Sequence, residues 1–126
     1  MRSAVAALAL LLASCAAPSM VADAGAGGVA FTWDEIALPA DAADRTYELR
    51  VWTEEQGLPR NEVLSADGLT SAQWRSPTPL PPALYQWSVR ARYFRGGRPC
   101  ASPWRGDDRS AVVPPRRLAR FEVKSP

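Results

Sequence analysis

The sequence predicts an all-β protein, an antiparallel sandwich of about seven short strands. Two observations carry this. Apolar and polar residues alternate with period two in several short runs, and Pro, Gly and Asp turn signals separate those runs. A third is negative: no stretch shows a convincing amphipathic-helix pattern, and 41–44 holds at most a short turn.

The runs follow in chain order. In Val29-Ala30-Phe31-Thr32-Trp33, Val29, Phe31 and Trp33 share one face. In Tyr47 to Trp52, Tyr47, Leu49 and Val51 point one way and Glu48, Arg50 and Trp52 the other. In Tyr85 to Tyr93, Tyr85, Trp87, Val89, Ala91 and Tyr93 point inward, with Gln86, Ser88, Arg90 and Arg92 outward. Arg120 to Lys124 repeats the pattern briefly. Such alternation means strands with one dry and one wet face. Gly57-Leu58-Pro59, Asp67-Gly68 and Gly96-Gly97 are the expected turns. A chain of 126 residues has room for one such domain.

The amino-terminal end has a different character. Arg2 precedes an uninterrupted apolar run, Ala4 to Ala13, too short to span a bilayer and suited to a signal-peptide core. It ends Leu12-Ala13-Ser14-Cys15. This resembles the bacterial lipobox, with an aliphatic residue, two small residues and a cysteine. The resemblance implies that 1–14 is a signal peptide cleaved before Cys15, whose thiol is acylated. The covalent acyl lipid on Cys15 is the only prosthetic group expected. Each buried acyl CH₂ contributes about 0.8 kcal/mol, so two or three chains hold a protein to a membrane durably. Ala16 follows the cysteine. By resemblance to enterobacterial sorting, that implies the outer membrane with the domain facing the periplasm. Residues 15–28 are small and Gly/Ala-rich. They read as lipidated cysteine and flexible tether, with a root-mean-square reach of roughly 20 Å, leaving 29–126 as the domain.

Composition excludes several function classes. There is no histidine, the commonest general base and metal ligand, and two cysteines cannot build a structural zinc site alone. A net charge of +2 gives no broad field for nucleic acid. The acidic residues are scattered, mostly in turns, without the nucleophile–base pair an enzyme needs. With Cys15 acylated, Cys100 has no intrachain partner and no histidine to activate it.

The ordered segments FTW (31–33), YELRVW (47–52), PLPPALYQWSVRARY (79–93), SPW (102–104) and FEV (121–123) together resemble a fibronectin type III domain of the bacterial surface-protein kind. The resemblance covers about residues 29 to 124. It implies an immunoglobulin-like sandwich in which these segments are strand B, strand C, the E–F corner with strand F, and the two ends of strand G. Leu80 and Tyr85 resemble the tyrosine corner, where the hydroxyl bonds back to the backbone. Two departures stand out. Strand A is expected to be weak or missing, because 18–28 is too small and flexible to pair well, so an open edge lies beside strand B. RGDDRSAVVPPRR (105–117) interrupts strand G as an insertion or bulged loop.

The candidate binding face is the outer surface of strands C and F, with Trp52, Arg90, Arg92 and nearby Trp104. Arginine stacked on tryptophan contributes about 0.5–1 kcal/mol where exposed, and Glu48 can pair with an arginine. Such a ladder is a structural feature of several cell-surface sandwiches. The alternative is a planar aromatic and cationic platform for an acidic protein patch or a glycan. The expected role is therefore a lipid-anchored envelope module that docks another envelope protein without catalysis. A peptidoglycan- or exopolysaccharide-binding module is the alternative, and strand donation by a partner at the missing strand A is a third. Arg105-Gly106-Asp107 is expected to be a chance tripeptide, not an integrin motif. Asp67, Asp107 and Asp108 lack calcium-loop spacing. The prolines of 77–82 read as the rigid corner entering strand F rather than a polyproline ligand.

Overall fold

Each period-two run forms a strand. A computed structural model describes residues 19–25, 27–105 and 118–125. The strands are β1 (Met20–Gly25), β2 (Gly28–Trp33), β3 (Ala43–Glu55), β4 (Leu58–Leu69), β5 (Gln73–Arg75), β6 (Ala83–Arg95), β7 (Arg98–Ala101) and β8 (Ala119–Val123). All pairings are antiparallel, and no helix occurs among the described residues. One sheet has the order β1-β2-β5. The other runs β4-β3-β6, with β7 and β8 sharing the far edge of β6. The two sheets pack as an immunoglobulin-like, fibronectin type III-like sandwich.

The expected inward residues make the core. Val29, Phe31 and Trp33 of β2 meet Tyr47, Leu49 and Val51 of β3 and Tyr85, Trp87, Val89 and Ala91 of β6. Tyr93, the last of the β6 inward set, is only half-buried, because it lies where the strand runs out beyond the core. Phe31 packs on Trp87 at 4.9 Å between ring centroids, and Trp33 meets Tyr47 edge-on at 5.5 Å. Burying one such side chain contributes about 1.5–3 kcal/mol, so this aromatic cluster is the main source of cohesion. The corner forms as expected. Leu80 is buried, and the Tyr85 hydroxyl donates to the Pro81 carbonyl at 2.5 Å.

Strand A is a correction. Met20–Gly25 pairs with β2 through a continuous register from Met20↔Trp33 to Gly25↔Gly28. Pairing is a backbone property, so small side chains do not prevent it. Met20 and Ala22 pack against the core while Val21 and Asp23 face water. The edge beside β2 is therefore covered, and half of the expected tether, Met20–Gly25 and Gly28, belongs to the sheet.

Asp67-Gly68 is also not a turn. It lies within β4, where the register shifts between Tyr47↔Leu69 and Leu49↔Ala66, and Gly68 takes φ 68°. A residue with positive φ accommodates the extra length as a bulge. The neighbouring hairpin turns at Gln56-Gly57, both with positive φ, as the twist of two-residue hairpins demands. Strand G is split, but its first part is Arg98–Ala101 and not SPW (102–104), which follows β7 outside any strand. β7 and β8 both pair with β6, and residues 106–117 between them lie outside the described residues.

Candidate functional site

The outer face of the second sheet collects the outward side chains of β3 and β6. Register sets Glu48 opposite Arg90, Arg50 opposite Ser88, Trp52 opposite Gln86 and Thr46 opposite Arg92. Residues 102–105 continue past β7 along the edge of β6. Ser102 exchanges bonds with Ala91 through its amide and hydroxyl, and the Arg105 amide donates to the Val89 carbonyl at 2.9 Å. The Ser88 hydroxyl donates to the Arg105 carbonyl at 2.7 Å. That lacing places Trp104 on the face.

The charged side chains form one ladder. Glu48, 10% exposed at its side chain, accepts from Arg90 at 2.6 Å and from Arg92 at 3.0 Å. The Arg90 guanidinium lies over the Trp104 ring at 4.5 Å, and that of Arg50 approaches the same ring at 5.9 Å. Arg50 continues to Asp67 at 2.7 Å and donates to the Leu49 and Ala66 carbonyls. Delocalised guanidinium planes satisfy a carboxylate in their plane and a ring on their face at once, so Arg50 and Arg90 are each held from two directions, while Arg92 is held by Glu48 alone among the described residues.

The structure thus brings three of the four candidate residues, Arg90, Arg92 and Trp104, into one network. Trp52 shares the face, half-exposed, and no ring stack or cation–π contact joins it to the described residues.

A second cluster on this face was not among the candidates. Glu54 accepts both the Nε and Nη2 of Arg120, at 2.5 and 2.6 Å, and the Gln86 amide at 2.8 Å. Gln86 also donates to the Gly57 carbonyl at 3.0 Å, tying the β3–β4 hairpin to β6 and β8. The hydrogen bond from Arg120, then that from Gln86, holds the Glu54 carboxyl below its ordinary value of 4.5. Extending the alternation two residues past Trp52 reaches Glu54, so the signal was present in the pattern.

The remaining motifs resolve simply. Arg105 donates to the Asp34 carbonyl at 2.7 Å, so the first residue of the RGD tripeptide is engaged in the fold, while Gly106 and Asp107 lie outside the described residues. Asp67 is spent on Arg50, and Asp108 lies outside the described residues. No cluster of three or more His, Cys, Asp or Glu side chains able to hold a metal ion occurs among the described residues. Cys100 is a free, half-buried thiol on β7 opposite Tyr93. Leu12, Ala13, Ser14 and Cys15 lie outside the described residues. No helix among the described residues is long and apolar enough to cross a membrane.

Compared with the models of known families and with curated proteins, the chain matches none.

Proposed function

We propose that this chain is a non-catalytic binding module of the bacterial cell envelope, exported, held by an acylated Cys15, and docking another envelope protein through the outer face of its second sheet. The outer membrane, with the domain in the periplasm, is the proposed location. The observation that supports the binding role most is the pre-ordered face. The Trp104 ring lies under Arg90 and within reach of Arg50, and each arginine is in turn held by a carboxylate. Side chains already ordered lose little entropy when a partner arrives, and tryptophan and arginine are the preferred anchors of interfaces.

The residues divide by role. Arg90 positions the ring of Trp104, and Glu48 positions Arg90. Arg92, 45% exposed at its side chain, and half-exposed Trp52 are available to a partner. The glycan reading draws support from Trp52, whose ring no described aromatic or arginine covers.

Crosslinking in living cells tests the proposal, followed by purification of the tagged protein from detergent-solubilised membranes and mass spectrometry of what accompanies it. The Trp52→Ala/Arg92→Ala double variant runs beside it, because Arg90→Ala would remove both the closer partner of Glu48 and the guanidinium over Trp104, whereas Arg90 still pairs with Glu48 when Arg92 is lost. One envelope protein recovered with the native chain and lost with the variant supports docking. Saccharide fragments retained in place of any protein overturn it in favour of the glycan reading.

A further inference from the structure

The start of the described chain is fastened to one pole of the sandwich. The Ser19 amide donates to Asp34 Oδ2 at 2.8 Å, its hydroxyl to Oδ1 at 3.3 Å, and the Asp34 amide returns a bond to the Ser19 carbonyl at 3.1 Å. Asp34 opens the loop 34–42 that joins β2 to β3. At the same pole, Ala43 pairs with Phe94 and the β6–β7 hairpin turns at Gly96-Gly97. Asp41 of the loop holds Arg95 of the hairpin at 3.0 Å.

Chain length then limits the anchor. Cys15 is four residues from Ser19, and a fully extended chain covers about 3.5 Å per residue, so the acylated sulfur reaches at most roughly 14 Å from that pole. A sandwich tied so closely cannot stand away from the bilayer.

The hairpin that faces this way has a matching composition. Phe94 is 41% exposed, with Pro99 opposite it and also exposed. Arg92, Arg95 and Arg98 surround the ring in sequence, all exposed. Arg98 has no ion-pair partner among the described residues. Of the acids nearby, Asp41 is held by Arg95, Glu35 by Arg45 and Asp34 by Ser19, while exposed Asp44, next to Ala43, has no ion-pair partner among the described residues. An aromatic ring collared by arginine suits the headgroup layer, where the ring enters the interface and the guanidinium groups meet lipid phosphate.

We infer that the pole formed by loop 34–42 and the β6–β7 hairpin rests on the membrane that carries the anchor, with Phe94 inserted among the headgroups and Arg98 contacting anionic lipid phosphate. This rests on the acylation of Cys15 proposed above. The hairpin adds a second, weaker membrane contact and fixes orientation: the β3–β4 turn points away, and the ladder face stands sideways, open to a partner in the same membrane.

The test uses the full chain, expressed with its own leader, purified from membranes and reconstituted in vesicles of equal parts phosphatidylethanolamine and phosphatidylglycerol. In a Cys100→Ser background, an environment-sensitive fluorophore is placed at Phe94→Cys, at Pro99→Cys, which leaves Phe94 intact, or at Arg60→Cys near the opposite pole. Expected is a blue shift at 94 and 99 and quenching by lipid-borne nitroxide severalfold stronger than at 60. Equal, weak quenching at all three positions in an acylated chain overturns the orientation alone. A chain whose mass shows no acyl group on Cys15 overturns both this inference and the anchoring it rests on.

Discussion

Glu48 and Arg90 face each other across β3 and β6, with Arg90 Nε 2.6 Å from Glu48 Oε2, and the same guanidinium lies over Trp104. One carboxylate therefore sets the position of a ring on a neighbouring segment. Glu48→Ala leaves Arg90 and Arg92 facing each other without their counter-charge. Loss of one partner from a fully buried pair costs about 3–5 kcal/mol. Both arginines retain some access to water, so we expect about 1–3 kcal/mol here. Urea denaturation monitored by far-ultraviolet circular dichroism checks it; an unchanged midpoint would show that the ladder contributes nothing to stability.

Two buried tyrosines should respond in opposite ways to loss of the hydroxyl. Tyr85 donates to Pro81, so Tyr85→Phe should lower stability by about 1 kcal/mol. The Tyr47 hydroxyl is buried with no hydrogen-bond partner among the described residues, so Tyr47→Phe should be neutral or stabilising. Paired thermal melts decide this, and a larger loss at Tyr47 would reverse the assignment.

Gly28 has φ 128°, and a Cβ there would lie 2.8 Å from the Ser76 carbonyl and hydroxyl oxygens. That hydroxyl accepts from the Val29 amide and donates to the Thr78 carbonyl, clasping β2 to the segment after β5. Gly28→Ala should cost about 1–3 kcal/mol, through strain and through displacement of this clasp. Gly57→Ala, with φ 80° but open space around it, should cost less. Comparing the two urea midpoints separates crowding from backbone strain.

Glu54 ties stability to pH. Its carboxyl is held below 4.5 in the folded chain, chiefly by Arg120 and then by Gln86. A depressed carboxylate stabilises the fold above its unfolded value, and that contribution is lost as pH falls through the folded value. Stability should therefore decline on acidification from about pH 5 downward. Glu54→Gln should flatten that part of the profile. A decline of undiminished slope in the variant would assign the dependence to other carboxylates.

The legible parts of this fold were those where a side-chain pattern reports a dry and a wet face. YELRVW and YQWSVRARY place nearly all their inward residues in the core because both strands lie between neighbours with one face covered. β1 was not legible. Ala22, Ala24 and Gly25 carry little hydrophobic signal, and the strand is held by backbone bonds to β2. β4 was hidden for a different reason. It is an edge strand, exposed along most of its length and broken by register shifts, so no single period survives. The ladder followed from alternation plus complementary charge. The Glu54–Gln86–Arg120 cluster joins residues far apart in the chain, and only the register of three strands brings them together.

The mass of the mature protein extracted from membranes tests the anchoring most directly, since both proposals depend on it. We expect an amino-terminal peptide beginning at Cys15 and carrying a thioether-linked diacylglyceryl group. Cys15→Ser should abolish that processing, leaving no chain that begins at residue 15 and no acylated species. A chain still carrying residues 1–14, or one beginning at an unmodified Cys15, would contradict the anchored module and the membrane-facing pole together.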